Sequence, residues 1–310
     1  MNTTFIINGG AGRVVASIPV LEKFARLNPD DDFRILISGW ENLFWSHPTL
    51  QKRSFSLNQK GVFENFIKNN RLVCPEPYYV HGYYNQQLSL SEAFDEEINS
   101  TRDHGDLEIP KLYISPYELQ GITRIIHELK KNYNKSKIIV FQPFGSGCNK
   151  NSGVPIDRSN RSLLYHQYVQ LAEKISKDCL IVYFGQKDLK FPTDSVTVSL
   201  DQYNADLRMY MSLISQCDYF IGCDSLGQHI ARAFNKPGTV IMGSTIEKNV
   251  SYPDHFRILR KAGRMPTYDP IRINHFDSEF ANRDNDGIMD FTNEELENFA
   301  NVINMDLYNE

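Results

Sequence analysis

The sequence predicts an α/β protein of two doubly wound parallel-sheet domains that face each other across a cleft. Three observations predict it. Short β-branched and aromatic runs alternate with stretches of helical apolar spacing, and glycine-rich turns directly follow several of those runs. The chain has 310 residues, more than the ~250–300 at which single cores stop growing.

The first domain opens on the strand Thr4-Phe5-Ile6-Ile7 and the turn Asn8-Gly9-Gly10-Ala11-Gly12. From Val14 to Leu27 the apolar residues Val14, Val15, Ile18, Leu21, Phe24, Ala25 and Leu27 share a helical face. Pro19 falls in the first turns, where proline is tolerated or ends a short initial piece. Asn28-Pro29-Asp30 stops the helix, and Phe33 to Ile37 is the next strand. Such a unit crosses over right-handedly and so builds a parallel sheet. Residues 59–70 carry helical spacing, and Arg71 to Cys74 is a further strand. From Pro75 to Pro110 the periodicity fades. Tyr78, Tyr79, Tyr83 and Tyr84 cluster there, beside a short acidic helix around Glu92, Asp95, Glu96 and Glu97. An irregular stretch of this length serves as a functional loop or a small insertion.

Pro116 to Tyr133 is a helix with Leu119, Ile122, Ile125, Ile126 and Leu129 on one face. The polar, basic segment after it marks the domain boundary, giving domains over 1–134 and 135–276. In the second, strands Ile138–Phe141, Leu180–Phe184, Tyr219–Gly222 and Thr239–Gly243 alternate with helices Ser162–Lys177, Asp206–Gln216 and Ser225–Asn235. Residues 277–310 form an acidic tail, in which the capping box Thr292-x-x-Glu295 starts a last helix running to about Ile303.

Composition narrows the class. Hydrophobic residues are 41% and charged residues 23%, which excludes a disordered, collagen-like or coiled-coil chain. No apolar run approaches the ~20 residues of a membrane span, and the N-terminus lacks the basic flank of a signal peptide. Five cysteines without a C-x-x-C pair, three of them in or beside apolar runs, suit reduced thiols and a cytoplasmic location. Net charge is −5, but from Asp277 onward ten acids face only Arg283, a balance of −9 that leaves the body at +4. A mildly basic body keeps a polyanionic ligand in play.

Open parallel sheets bind ligands beyond the carboxyl ends of their strands. Four loops stand there. In the first, Gly9, Gly10 and Gly12 let backbone N–H groups approach an anion at a helix N-terminus, or simply make a tight turn. Arg13 opposes the helix dipole there, which makes sense if it faces a bound phosphate or acidic acceptor. In the second, Gly145-Ser146-Gly147 follows a buried strand, with Lys150, Arg158 and Arg161 after it; small residues and cations suit a diphosphate, although charged loops are usually just solvated. In the third, Cys223-Asp224-Ser225-Leu226-Gly227-Gln228-His229, Asp224 or Ser225 is a natural N-cap, while Gly227 adds a close-approach position and His229 a titratable donor. On this reading, Gly227→Arg blocks the phosphate site and leaves the fold mostly intact. The fourth is Met242-Gly243-Ser244-Thr245.

These residues resemble the GT-B superfamily of glycosyltransferases, with its two Rossmann-like domains. More narrowly, they resemble the ADP-heptose:lipopolysaccharide heptosyltransferases of glycosyltransferase family nine. The similarity is densest over 206–237, a helix and a strand ending in Asp224-Ser225, then His229-Ile230-Ala231-Arg232-Ala233 and Lys236-Pro237. Gly243-Ser244-Thr245 matches the family's Gly-x-Thr, Pro143-x-Gly145-Ser146 and Arg161 echo its Pro-Gly-x-Ser and later basic residue, and Gly12-Arg13-Val14-Val15 echoes its opening helix. Coverage is good over 138–245, patchy over 1–40 and thin elsewhere.

The resemblance implies a nucleotide-sugar donor in the C-terminal domain, an acceptor on the N-terminal domain around Gly9, Gly10 and Gly12, and inverting transfer without metal or cofactor. Gly145, Ser146, Lys150, Arg161, Gly185, Ser225, Leu226, Gly227, Gln228, Met242 and Gly243 would then hold the donor, with Met242 and Gly243 near the base. Arg13, Asp224 and His229 would stand at the chemistry.

Two departures from the family matter. Arg13 stands where the family has an Asp proposed as general base, and an arginine stays protonated. After Gly185 comes Gln186, with Asp188 two residues on, where an acidic ribose contact is expected. Asp103, His104, Asp106 and His81 are alternative bases. The acceptor implied is lipopolysaccharide or another bacterial glycan. A phage-encoded relative acting on a hydroxymethylated base in DNA is the alternative, motivated by Arg257, Arg260, Lys261, Arg264 and Arg272 against Asp269. A nucleotide-sugar-binding protein without turnover is another, motivated by Arg13. An epimerase of UDP-sugars is the weakest reading.

Overall fold

The computed structural model describes residues 2–145, 147–149, 156–157, 159–175, 178–185, 196–201, 206–266 and 285–308. The chain divides into two compact units, one up to Ser115 and one from Pro116.

The first unit contains β1 (Thr3–Ile7), α1 (Ala11–Leu27), β2 (Arg34–Ile37), β3 (Ser54–Ser56), β4 (Arg71–Val73), α2 (His81–Tyr84) and α3 (Leu90–Asn99). Its sheet runs β3-β2-β1-β4 with all pairs parallel, as the opening strand–helix–strand unit requires. Pro19 sits inside α1 without ending it. Phe5, Phe24 and Phe33 meet edge to face between sheet and helix, with centroids 4.9 to 5.8 Å apart. Residues 59–70 do not form the helix their spacing predicts; a short π-type turn, Phe63–Ile67, stands there.

The second unit contains α4 (Pro116–Tyr133), β5 (Lys137–Gln142), the short hairpin strands β6 (Cys148–Asn149) and β7 (Ile156–Asp157), α5 (Tyr165–Lys174), β8 (Cys179–Gly185) and β9 (Val196–Asp201). It continues with α6 (Leu207–Gln216), β10 (Tyr219–Cys223), α7 (Leu226–Ala233), β11 (Gly238–Ile241), α8 (Glu247–Val250), β12 (Arg257–Leu259) and α9 (Asn293–Tyr308). Six parallel strands run β12-β11-β10-β5-β8-β9.

Side chains alternate across this sheet. Ile139, Phe141, Ile181, Tyr183, Tyr219, Ile221 and Ile241 form one core with α5 and α9. On the other face Phe184 stacks on Tyr210 of α6 at 3.5 Å between centroids. Helices thus cover both faces, the doubly wound arrangement.

The boundary between the units falls before α4 rather than after it. Arg208 of α6, with 3% of its side chain exposed, donates from Nε and Nη2 to the two carboxylate oxygens of Glu118 at 2.7 Å each. Lys130 of the same helix pairs with Asp218 at 2.9 Å.

The acidic tail is no separate appendage in the described residues from Asn285. Ile288, Met289, Phe291, Leu296, Phe299, Ala300, Ile303 and Leu307 belong to the core beneath α5, and α9 runs to Tyr308, past the expected end.

Removing the Glu118 carboxylate withdraws the bidentate partner of a sealed guanidinium. Glu118→Ala is expected to cost about 3 kcal/mol in denaturant-unfolding experiments, against less than 1 kcal/mol for an exposed pair such as Arg34–Asp32.

Candidate functional site

At the carboxyl edge of the second sheet, the turns after β5, β10 and β11 are tied together by side chains. Gln142, the last residue of β5 and 4% exposed, accepts at Oε1 from the Gly227 N–H at 2.9 Å and from the Tyr210 hydroxyl at 2.8 Å. Two donors on one atom fix it as the oxygen, so Nε2 donates, to the Ser225 hydroxyl at 3.1 Å and the Phe144 carbonyl at 3.4 Å. Sequence reasoning missed Gln142. Its signal was a polar residue closing the buried run Ile138–Phe141.

Asp224 opens the turn after β10 and is nearly buried. Its Oδ1 accepts from Gln228 Nε2 at 3.0 Å, and its Oδ2 accepts from the Thr245 hydroxyl at 2.9 Å and lies 3.8 Å from Arg161 Nη1. Gln228 also donates to the Val250 carbonyl at 3.1 Å and accepts from the Ser251 hydroxyl at 2.6 Å. Both residues position the loops around them. Arg161, half-buried, donates from Nε to the Ser159 hydroxyl at 2.9 Å. The turn after β5 joins the group where the Gly145 N–H donates to the Ser162 hydroxyl at 2.9 Å. A Cβ added to Gly145 would lie 3.8 Å from both the Asp224 carbonyl and the Ser225 hydroxyl.

Four expected roles change. Gly227 is a packing glycine: a Cβ there would lie 2.3 Å from Gln142 Oε1, 2.5 Å from the Tyr210 hydroxyl and 2.7 Å from Phe220 Cζ. A side chain at 227 therefore disrupts the fold rather than merely blocking a ligand. Met242 is sealed in the core, and Gly243 is covered by the Asn160 carbonyl, 2.0 Å from where its Cβ would stand, and by Met289. Neither offers a surface to a nucleotide base. His229 is buried, bonded through Nδ1 to the Tyr252 hydroxyl at 2.9 Å, and burial lowers its pKa to about 4 against a weaker opposing pull from Asp224. It is neutral near pH 7 and supplies no positive charge.

Ser225 and Leu226 retain surface at this edge, as do Arg161 and Gly147. Ser225 is the N-cap residue of α7, but its side chain makes no capping bond to the helix. Burial pushes the Cys148 thiol up to about 11, so no thiolate joins the group. Gly185 ends β8. Ser146, Lys150, Arg158, Gln186 and Asp188 lie outside the described residues.

In the first unit, Gly9 takes the positive φ of +90° that the turn requires, and Gly10 is the N-cap of α1, with Gly12 inside its first turn. Arg13 faces an acidic partner of its own chain. Its side chain is 6% exposed and turned onto Glu76, Nη1 to Oε1 at 3.0 Å.

The basic stretch is engaged within the second unit. Arg257 donates from Nε and Nη2 to Asp306 at 3.0 Å each, Lys261 to the Gly287 carbonyl at 3.0 Å and to the Asp290 carbonyl. Arg260 binds the Gly243 carbonyl at 3.0 Å, the Thr245 carbonyl at 2.6 Å and Glu247. Asp269 and Arg272 lie outside the described residues. At the opposite, amino edge of β10 to β12 lies a cavity of 620 Å3 lined by Tyr219, Gly238, His255 and Arg257 among others.

Three solved structures share the architecture over 85% or more of the chain. A family 9 glycosyltransferase from Veillonella parvula DSM 2008 matches with a TM-score of 0.73 at 11% identity, over 98% of this chain and 97% of that one. The fold is that of the family 9 glycosyltransferases. ADP-heptose lipopolysaccharide heptosyltransferase II of E. coli matches at 0.62 and 14% identity, over 97% and 99%. An E. coli heptosyltransferase solved with ADP matches at 0.55 and 11% identity, over 85% and 94%. No family model matches the sequence, and no curated protein matches it. Among the described residues no helix is long and apolar enough to cross a membrane.

Two measurements check these assignments. Gly227→Ala is expected to destabilise by about 2 kcal/mol, because Gln142 and Tyr210 have to move; a loss under 0.5 kcal/mol contradicts the packing role. The neutral His229 gives a pH signature. Its folded pKa lies below the unfolded value of 6.5, so the unfolded chain binds the proton more readily. The associated stability, roughly 3 kcal/mol from a shift of this size, is complete above pH 6.5 and is lost as pH falls toward 4. Denaturant unfolding from pH 7.5 to 4 should be flatter in His229→Gln than in the wild type.

Proposed function

We propose that the chain is a glycosyltransferase that moves a sugar from a nucleoside-diphosphate sugar to an acceptor hydroxyl, with the donor held at the carboxyl edge of the second sheet. The observation that carries this is the N-terminus of α7. Ser225 makes no side-chain cap on its first turn, Gln142 takes the Gly227 N–H and fixes the loop, and Arg161 stands beside Asp224. A helix N-terminus and a guanidinium are the groups that stabilise a departing diphosphate. Ser225, Leu226, Gly145 and Arg161, with Ser146 and Lys150 from the flanking sequence, are the proposed donor contacts; Asp224 and Gln228 position them. These groups supply the charge that a metal would otherwise bring, which supports metal-independent transfer; inversion is the course that the family resemblance implies. The first unit, around Gly9 and Gly10, is the proposed acceptor side.

The fold of the heptosyltransferases supports a bacterial glycan or lipopolysaccharide acceptor. The engaged Arg257, Arg260 and Lys261 give no support to a DNA acceptor. A binding protein without turnover is the second reading, because Arg13 replaces the acidic residue of the family pattern.

A thermal-shift screen against ADP-, UDP- and GDP-sugars, with and without magnesium, tests the donor site. A ligand at 100 times its Kd adds ~2.7 kcal/mol, which is several degrees in Tm. One nucleotide class is expected to raise Tm without magnesium, and Arg161→Ala to weaken its binding ~10–100-fold. No shift with any of them overturns the donor site.

A further inference from the structure

We infer that Glu76 takes the acceptor proton and that Arg13 is the positioning residue that holds it; the inference rests on the transferase reading. In such a transfer the acceptor oxygen bonds to the anomeric carbon. The bond from that carbon to the donor phosphate breaks, and its electron pair leaves on the diphosphate. The hydroxyl proton needs a base, and a guanidinium cannot serve as one.

Glu76 follows β4, so it stands at the carboxyl edge of the first sheet with the turns after β1 and β2. Contacts run across that edge. Trp40, after β2, donates from Nε1 to the Gly9 carbonyl at 3.1 Å, and a Cβ on Gly9 would lie 3.0 Å from Arg13 Cδ. Arg13 in turn donates to both oxygens of Glu76, at 3.0 and 3.4 Å, and to the Pro75 carbonyl at 2.8 Å. The rings of Tyr78 and Phe94 lie 5.0 and 5.4 Å from the guanidinium carbon and confine it. Arg13 Nε is buried and makes no bond.

The pair is asymmetric. The Arg13 side chain is 6% exposed and that of Glu76 is 23% exposed. A carboxylate has about four lone-pair sites, and Arg13 engages two, so the outward side of Glu76 is left to receive a proton. As a stabilising device such a pair is poor, since desolvating the cation offsets most of the attraction. What it provides is a carboxylate held at one place.

The other candidate bases are engaged elsewhere. Asp95 and Asp106 pair with Lys23, and His104 bonds through Nδ1 to Asp95 at 2.9 Å; Lys23 lies ten residues and about 15 Å farther along α1 than Arg13. Asp103 accepts from the Gly105 N–H at 3.1 Å. His81 is exposed on α2 and bonded to Asn85 at 3.2 Å. Glu97 accepts from the backbone N–H of Glu76 at 3.4 Å.

The test measures nucleoside-diphosphate release from ADP-, UDP- and GDP-sugars, with water and with truncated lipopolysaccharide core as acceptors, alongside donor Kd and Tm. Glu76→Gln is expected to bind donor as the wild type does and to release diphosphate ~10²–10⁴-fold more slowly. Glu76→Asp keeps the charge opposite Arg13 and draws the carboxylate back by one methylene; it should fold normally and lose at least tenfold in turnover. Added formate should restore turnover to Glu76→Ala, which a merely structural role does not predict. Turnover of Glu76→Gln within a few-fold of the wild type overturns the role of Glu76 and leaves the transferase reading standing. A wild type that binds donor but releases no diphosphate overturns the role and favours the binding protein. A wild type that binds no sugar nucleotide overturns both.

Discussion

The carboxamide of Gln142 joins the strand β5, the helix α6 and the turn into α7 through Tyr210, Ser225 and Gly227. The site depends on that junction. Because Gly227 lies against Gln142 and Tyr210 with no room for a Cβ, the N-terminus of α7 is held close over the end of β5. The Ser225 hydroxyl accepts from Gln142 and makes no cap on α7. A buried amide network with every member engaged is rigid, and rigid placement of N–H dipoles is what stabilising a developing diphosphate charge requires. Asp224 and Gln228 extend the same logic to the turn after β11 and the segment after α8.

Charges are deployed in two ways in this chain. Some are structural, with both partners withdrawn from water, as where Lys23 and Asp95 clamp α1 to α3 at 2.9 Å. Others are engaged by backbone carbonyls, as with Arg260 and Lys261, whose bonds anchor the turn after β11 and the residues before α9. The basic stretch, which by count alone suggested a surface for a polyanion, is in part paired with the acidic tail through Arg257 and Asp306.

Strands whose β-branched runs are buried on both faces, such as Ile138–Phe141 and Tyr219–Gly222, were legible in the sequence, as was the order of helices between them. The edge strand Ser54–Ser56 was not, since one phenylalanine between serines makes no apolar run; nor was Arg257–Leu259, hidden in a basic stretch. The candidate site was legible as a set of loops but not as a set of roles. Gly227 reads as a ligand-approach glycine until Gln142, 85 residues away, is seen against it. Arg13 reads as facing an anion, and it does face one, but that anion is Glu76. His229 reads as a titratable donor until burial beside Tyr252 makes it neutral. Each role was set by a partner distant in sequence, which local pattern does not encode.

The proposed donor site requires that a nucleoside diphosphate bind at the carboxyl edge of the second sheet. Hydrogen exchange followed by mass spectrometry, with ADP, UDP and GDP in turn at saturation, tests it most directly. Slowed exchange is expected in peptides containing Gln142–Gly145 and Asp224–Gln228, with none in peptides spanning Pro253–Ile258 at the amino-edge cavity. Protection confined to Pro253–Ile258, or no protection of the first two segments with any of the three nucleotides, would contradict it.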